Sequence, residues 1–106
     1  MALDIERKGA DGACTLVVKG EVDLYSSPDL RAAITKAMPK FGGSVSVDLR
    51  GIPYMDSSGV ATLVEGYRTA MERSTAFILL SPSQSVLKVL QLSRLDTVFT
   101  IRNDIL

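Results

Sequence analysis

The sequence predicts a small α/β domain, a mixed sheet of four to five strands with helices packed on it. Three observations lead there. Short apolar runs or alternations recur at Thr15–Lys19, Val45–Leu49 and Ala76–Leu80. Between them lie segments of about ten residues whose apolar positions repeat at helical spacing. Gly, Pro, Ser and Asp cluster at the junctions. Strands separated by helices of that length pair in parallel through right-handed crossovers, and the strand-to-helix corners become the functional edge. The pattern leaves the strand order open.

Taken in order, Leu3 and Ile5 alternate with Asp4 and Glu6, as in a short strand with one wet face. Gly9-Ala10-Asp11-Gly12 carries turn chemistry and Thr15–Lys19 follows as a second strand, so the pair reads as a hairpin. Gly20 to Tyr25 leads away from it. Ser26-Ser27-Pro28-Asp29 then opens a helix, with a serine cap, a first-turn proline and an acid near the positive dipole end. Leu30, Ala33, Ile34, Ala37 and Met38 form its apolar stripe, which Pro39 and Gly42-Gly43 end. Val45, Val47 and Leu49 alternate along a central strand. The next helix sets Val60, Leu63, Val64, Tyr67 and Met71 on one face and Glu65, Arg68 and Glu72 on the other. Ala76–Leu80 is unbroken and apolar, the pattern of a strand covered on both faces or nearly so. Ser81-Pro82-Ser83 opens a third helix that buries Val86, Leu87, Leu90 and the stem of Arg94. Val98–Ile101 reads as a last edge strand.

Composition narrows the function. A chain of 106 residues forms one domain, 1–106, with room for a single core. Lys plus Arg and Asp plus Glu both number 12, so the basic excess needed to neutralise nucleic acid is missing. One cysteine, Cys14, excludes an internal disulfide and fits a reducing compartment, where it serves as a small buried apolar residue. No apolar signal core or membrane-length run is present, so a soluble, cytoplasmic protein without membrane insertion is expected. The chain lacks histidine, which rules out a Ser-His-Asp triad and, with one cysteine, the usual zinc ligand sets. The common glycine-rich nucleotide fingerprints are absent too. A binding module without catalysis, metal or cofactor is the expectation.

The most informative run is Val47 to Leu63, where a strand passes through a Gly-Pro connection into Asp56-Ser57-Ser58-Gly59 and a helix. Two hydroxyls and a carboxylate therefore stand at the mouth of a helix, where unpaired N–H groups and the dipole favour negative charge. One reading is a cap, worth ~1 kcal/mol, with Gly59 present for a tight turn or a close approach of backbones. The other is a phosphoacceptor. Phosphate adds about −1.5 to −2 charges at pH 7, which the helix tolerates but a surface packed on the bare hydroxyl does not. Both readings fit the residues.

The chain resembles the STAS-domain family, and within it the bacterial anti-sigma factor antagonists of partner-switching systems. The similarity rests on Gly20-Glu21-Val22-Asp23 with Leu24-Tyr25-Ser26, on Tyr54-Met55-Asp56-Ser57-Ser58-Gly59-Val60, and on Leu80-Ser81-Pro82-Ser83 followed by Val86-Leu87 and Leu90. It implies that the unphosphorylated form binds an anti-sigma factor that is also a serine kinase, freeing the sigma factor. Phosphorylation at Ser57, the first serine after the aspartate, switches binding off, and a serine phosphatase resets it; Ser58 is the competing acceptor. Asp23, Glu21, Asp56, Ser58 and Gly59 are then the partner-binding residues. ATP belongs to the kinase.

The resemblance departs at the end, since antagonists commonly carry a further helix after the last strand. Arg102-Asn103-Asp104-Ile105-Leu106 is too short for one. Short STAS proteins also resemble the accessory subunit of lipid-transporting ABC systems, whose ATPase is the alternative partner. A receiver domain is disfavoured, because no adjacent acid pair follows the first strand. Arg68, Glu72 and Arg73 read as a solvated face.

Overall fold

The computed structural model describes residues 3–103. Its elements run β1 (Asp4–Ala10), β2 (Ala13–Lys19), α1 (Ser27–Ala37), β3 (Ser44–Gly51), α2 (Ser57–Glu72), β4 (Ala76–Leu80), α3 (Gln84–Leu92) and β5 (Thr100–Arg102). The five strands form one sheet in chain order, β1-β2-β3-β4-β5. β1 and β2 pair antiparallel as a hairpin and every later pair is parallel. This is the mixed α/β sheet the sequence predicts. Its order advances in one direction, so crossovers of one hand place all three helices on the same face.

That one-sidedness decides which residues are inside. Cys14, Leu16 and Val18 of β2, Val45, Val47 and Leu49 of β3, and Phe77 and Leu79 of β4 point toward the helices and are buried. They meet Leu30 and Ile34 of α1, Leu63 of α2, and Val86 and Leu90 of α3 in one core. The alternate residues, among them Thr15, Val17 and Ser46, line the opposite face and are half-buried. The unbroken apolar run of β4 therefore does not mean cover on both sides. Ile78 lies on the open face, outside the core cluster, and loses its exposure to strands on either side, beside Ser46 and Thr100.

Other expectations shift for local reasons. β1 extends to Ala10, because the turn needs only Asp11 and Gly12 and leaves Gly9 and Ala10 free to pair with Cys14 and Ala13. β5 starts at Thr100, two residues later than the alternation indicates, because Val98 and Phe99 donate backbone hydrogen bonds to Leu95 O. Arg94 is exposed and left-handed at φ 59 after the end of α3, so its stem is not on the buried side. The expectation for the extreme C-terminus falls on 104–106, outside the described residues.

α2 shows why spacing alone misplaces a helix face. Val60 and Leu63 are buried as expected, but Met71 is 63% exposed. The buried side instead includes Thr62, Gly66 and Ala70, small residues that let α1 and β4 come close. A Cβ on Gly66 would lie 2.9 Å from Cζ of Phe77 and 3.1 Å from Cγ2 of Ile34. Arg31 on α1 and Glu65 on α2 pair across the same seam at 2.9 Å, an exposed contact that fixes register more than it stabilises. Gly66→Val is expected to lower stability by about 1–3 kcal/mol through overpacking. Urea unfolding should show a lower midpoint with unchanged slope.

Candidate functional site

The corner begins where β3 ends. Ile52 N–H donates to Leu49 O at 3.2 Å and turns the chain out of the sheet. Pro53 and Tyr54 follow, and Met55 forms a parallel bridge with Val22 of the β2–α1 loop. Two hydrogen bonds make that bridge: Val22 N–H to Tyr54 O at 2.9 Å and Asp56 N–H to Val22 O at 3.0 Å. The Val22 and Met55 side chains are buried beneath it. Gly59 rests on this floor. A Cβ there would lie 2.5 Å from Cγ of Met55 and 2.7 Å from Cγ1 of Val22. Close approach, not a turn, is why glycine stands at this place.

Asp56 is the N-cap of α2, its carboxylate accepting from Ser58 N–H at 2.9 Å and more weakly from Gly59 N–H at 3.4 Å. The cap reading of this residue is thus correct, and the acid already occupies donors that a bound anion would use. The two serines separate clearly. Ser57 is the first residue of α2 and is exposed; Ser58 is half-buried, its amide held by Asp56 and its carbonyl accepting from the Thr62 hydroxyl at 2.9 Å. A group attached at Ser57 enters solvent, and Ser58 is the less accessible of the two.

Across the bridge, the 20–26 loop is organised by Asp23. Its Oδ1 accepts from the amides of Tyr25 and Ser26, both at 2.9 Å, and from the Ser26 hydroxyl at 3.2 Å. The Ser26 backbone N–H bond, supported by its hydroxyl and the Tyr25 amide, holds the Asp23 carboxyl below the usual carboxylate range, so it is charged at neutral pH. Ser26 occupies the N-cap position of α1 but does not cap it. Its hydroxyl turns into the loop, donating to Glu21 O at 2.8 Å and accepting from Asp23 N–H at 2.9 Å. Glu21 is exposed beside the bridge residue Val22. The bridge thus brings Glu21 and Asp23 to the same corner as Asp56, Ser57, Ser58 and Gly59.

Three residues of this corner escape a sequence reading. Leu24 is 66% exposed, Tyr25 85% and Tyr54 50%, and all three belong to the two bridged loops. Asp23 drives the first pair outward by folding the backbone back on itself. The signal was present, since large apolar side chains in a segment with neither period have no core to enter. By contrast, Arg68 and Glu72 are exposed on α2, and Arg73 donates to Pro39 O at 3.2 Å, a structural tie. Among the described residues no cluster of three His, Cys, Asp or Glu could hold a metal, and no helix is long and apolar enough to cross a membrane.

Comparison with known proteins gives a consistent result. A family model described as "Mlab, STAS domain" matches residues 5–103. The anti-sigma F factor antagonist of Lysinibacillus sphaericus is 36% identical over 86 residues, covering 76% of this chain and 72% of that protein. The anti-sigma-B factor antagonist of Listeria monocytogenes is 24% identical over 103 residues, covering 97% and 90%. Among solved structures, the Bacillus cell fate determinant SpoIIAA in its phosphorylated form superposes with a TM-score of 0.70 at 24% identity, covering 96% of this chain and 92% of its own. Its unphosphorylated form gives 0.75, covering 96% and 89%. With the one-sided sheet and the capped corner in place, this chain belongs to the STAS-domain family.

Proposed function

We propose that the protein is an anti-sigma factor antagonist whose docking is switched off by phosphorylation of Ser57. The observation that carries the reading is the placement of that hydroxyl: exposed, first in α2, and bordered by two loops that present Leu24, Tyr25 and Tyr54. The antagonist names of the curated relatives support it over the transporter alternative. The unphosphorylated chain binds an anti-sigma factor that doubles as a serine kinase, and so releases the sigma factor. A serine phosphatase restores the bare hydroxyl. The protein itself works by binding, in the cytoplasm, and holds no cofactor.

The physical logic divides grip from switch. Exposed aromatic and aliphatic side chains supply apolar area that is favourable to bury, and tyrosines are common anchors of interfaces. Asp23 keeps Leu24 and Tyr25 ordered before docking, which lowers the entropy lost on binding. Glu21, Asp23 and Asp56 make the surroundings acidic. A phosphate on Ser57 adds about two charges there and a bulk that must be desolvated if the partner is to close on it. Asp56 already accepts from the Ser58 and Gly59 amides, so those two donors of the helix mouth are not free to neutralise the new group.

Ser57→Ala is expected to bind the purified anti-sigma factor while incorporating no phosphate from ATP, and Ser57→Asp to bind more weakly than wild type. Titration calorimetry and a phosphate-incorporation assay check both; phosphate on Ser57→Ala, or full affinity of Ser57→Asp, would refute the switch. Tyr25→Ala should weaken binding roughly five- to thirtyfold, the loss typical of an interface anchor, with an unchanged urea midpoint.

A further inference from the structure

The third stretch carrying the family resemblance, Leu80-Ser81-Pro82-Ser83, has no part in the switch described so far. Ser83 lies at the start of α3, yet its hydroxyl reaches the connection that leads to Ser57. Ser83 Oγ donates to Ile52 O at 2.6 Å and accepts from Val86 N–H at 3.3 Å. One hydroxyl thus caps α3 and ties it to a carbonyl 31 residues earlier in the chain. Ile52 is fully buried and Ser83 half-buried, so water does not freely replace the bond.

The connection Ile52-Pro53-Tyr54-Met55-Asp56 is held at both ends. At its far end are the two Val22 bonds; at its near end are the Ile52 N–H bond to Leu49 and the Ser83 hydroxyl on Ile52 O. The Leu49 bond stays within the β3 end itself. Gly20 N–H also donates to Gly51 O at 3.1 Å, one residue earlier, so Ser83 is the side-chain tie, and the one from the helix layer, that anchors the near end. Tyr54 and Asp56, which present an apolar anchor and the cap of the Ser57 helix, lie between the two ties.

We propose that Ser83 is a positioning residue for the phosphorylation switch, holding the β3–α2 connection so that Ser57 is presented in a single geometry. The proposal rests on the reading of Ser57 as phosphoacceptor. A kinase must bring the serine oxygen in line with the γ-phosphate of ATP, and a mobile acceptor loses rate because productive orientations become rare. Without the Ser83 hydroxyl, the connection gains that mobility and Tyr54 with it.

Two measurements on Ser83→Ala, Ser83→Thr and wild type test this. The first is amide hydrogen exchange by NMR, which needs no partner. Ser83→Ala should exchange the Val22 and Asp56 amides roughly two- to tenfold faster, the size of one lost hydrogen bond, with the Val47 amide in mid-β3 unchanged. Ser83→Thr, which keeps the hydroxyl, should return both to wild-type rates. The second is steady-state phosphorylation by the anti-sigma factor kinase with radiolabelled ATP. There kcat/KM of Ser83→Ala should fall by a similar factor and be restored by Ser83→Thr. Faster exchange confined to α3 amides would reduce Ser83 to a helix cap and overturn the proposal. So would faster exchange of the Val22 and Asp56 amides with wild-type phosphorylation kinetics. If the wild-type chain accepts no phosphate at Ser57, the switch reading itself fails, and the exchange data identify that failure as separate from the tie.

Discussion

The backbone ladder between Val22 and the Tyr54–Asp56 stretch joins two loops that the sheet alone would leave apart. β2 and β3 are neighbours that diverge after Lys19 and Gly51, where the pairing register already shifts. The Val22–Met55 bridge resumes the pairing three or four residues later, over a buried apolar floor. Everything distinctive about the corner depends on it. It sets the position of Asp56 and hence the first turn of α2, and it demands a residue without a side chain at Gly59. It also fixes the Asp23 turn beside Ser57. On the reading proposed above, a corner held this way signals without a conformational change, because altering one surface group alters what can dock.

Polar groups at the corner are used economically. The carboxylates of Asp23 and Asp56 each accept from two backbone amides, and the Ser26 and Ser83 hydroxyls each serve as both donor and acceptor. Among the described residues no buried side-chain N or O lacks a partner. Against that background Ser57 stands out by being exposed at a helix mouth where Asp56 already engages the Ser58 and Gly59 amides. A phosphate there joins the carboxylates of Asp56, Asp23 and Glu21 without disturbing a hydrogen bond that holds the loops. On the proposed reading of Ser57, the fold and the switch are thus physically decoupled.

Much of this was legible in the residues. The alternation at Val45, Val47 and Leu49, the serines after Asp56 and the turn at Asp11-Gly12 each report local physics that tertiary packing did not override. The errors arose where packing did. Met71 carries the right spacing to be buried, but Gly66 and Ala70 decide the contact face by admitting α1 and β4 closely. β4 reads as doubly covered because periodicity cannot distinguish a helix above the strand from strands beside it. Ser26 has the chemistry of a cap, yet Asp23 and the Glu21 carbonyl compete for its hydroxyl and win. Bridges between loops leave no periodic trace, so the gathering of Leu24, Tyr25 and Tyr54 around Ser57, and the reach of Ser83 to Ile52, emerge only in three dimensions.

The account turns on a phosphate at Ser57 changing the surface and leaving the fold intact. The most direct measurement is a comparison of backbone amide spectra of the bare and enzymatically phosphorylated domain, with the modified serine assigned by its own shift. The account predicts phosphate on Ser57, with perturbations confined to the 20–26 loop and the Tyr54 to Thr62 stretch. Phosphate on Ser58, or perturbations spreading through β4 and α3, would contradict it.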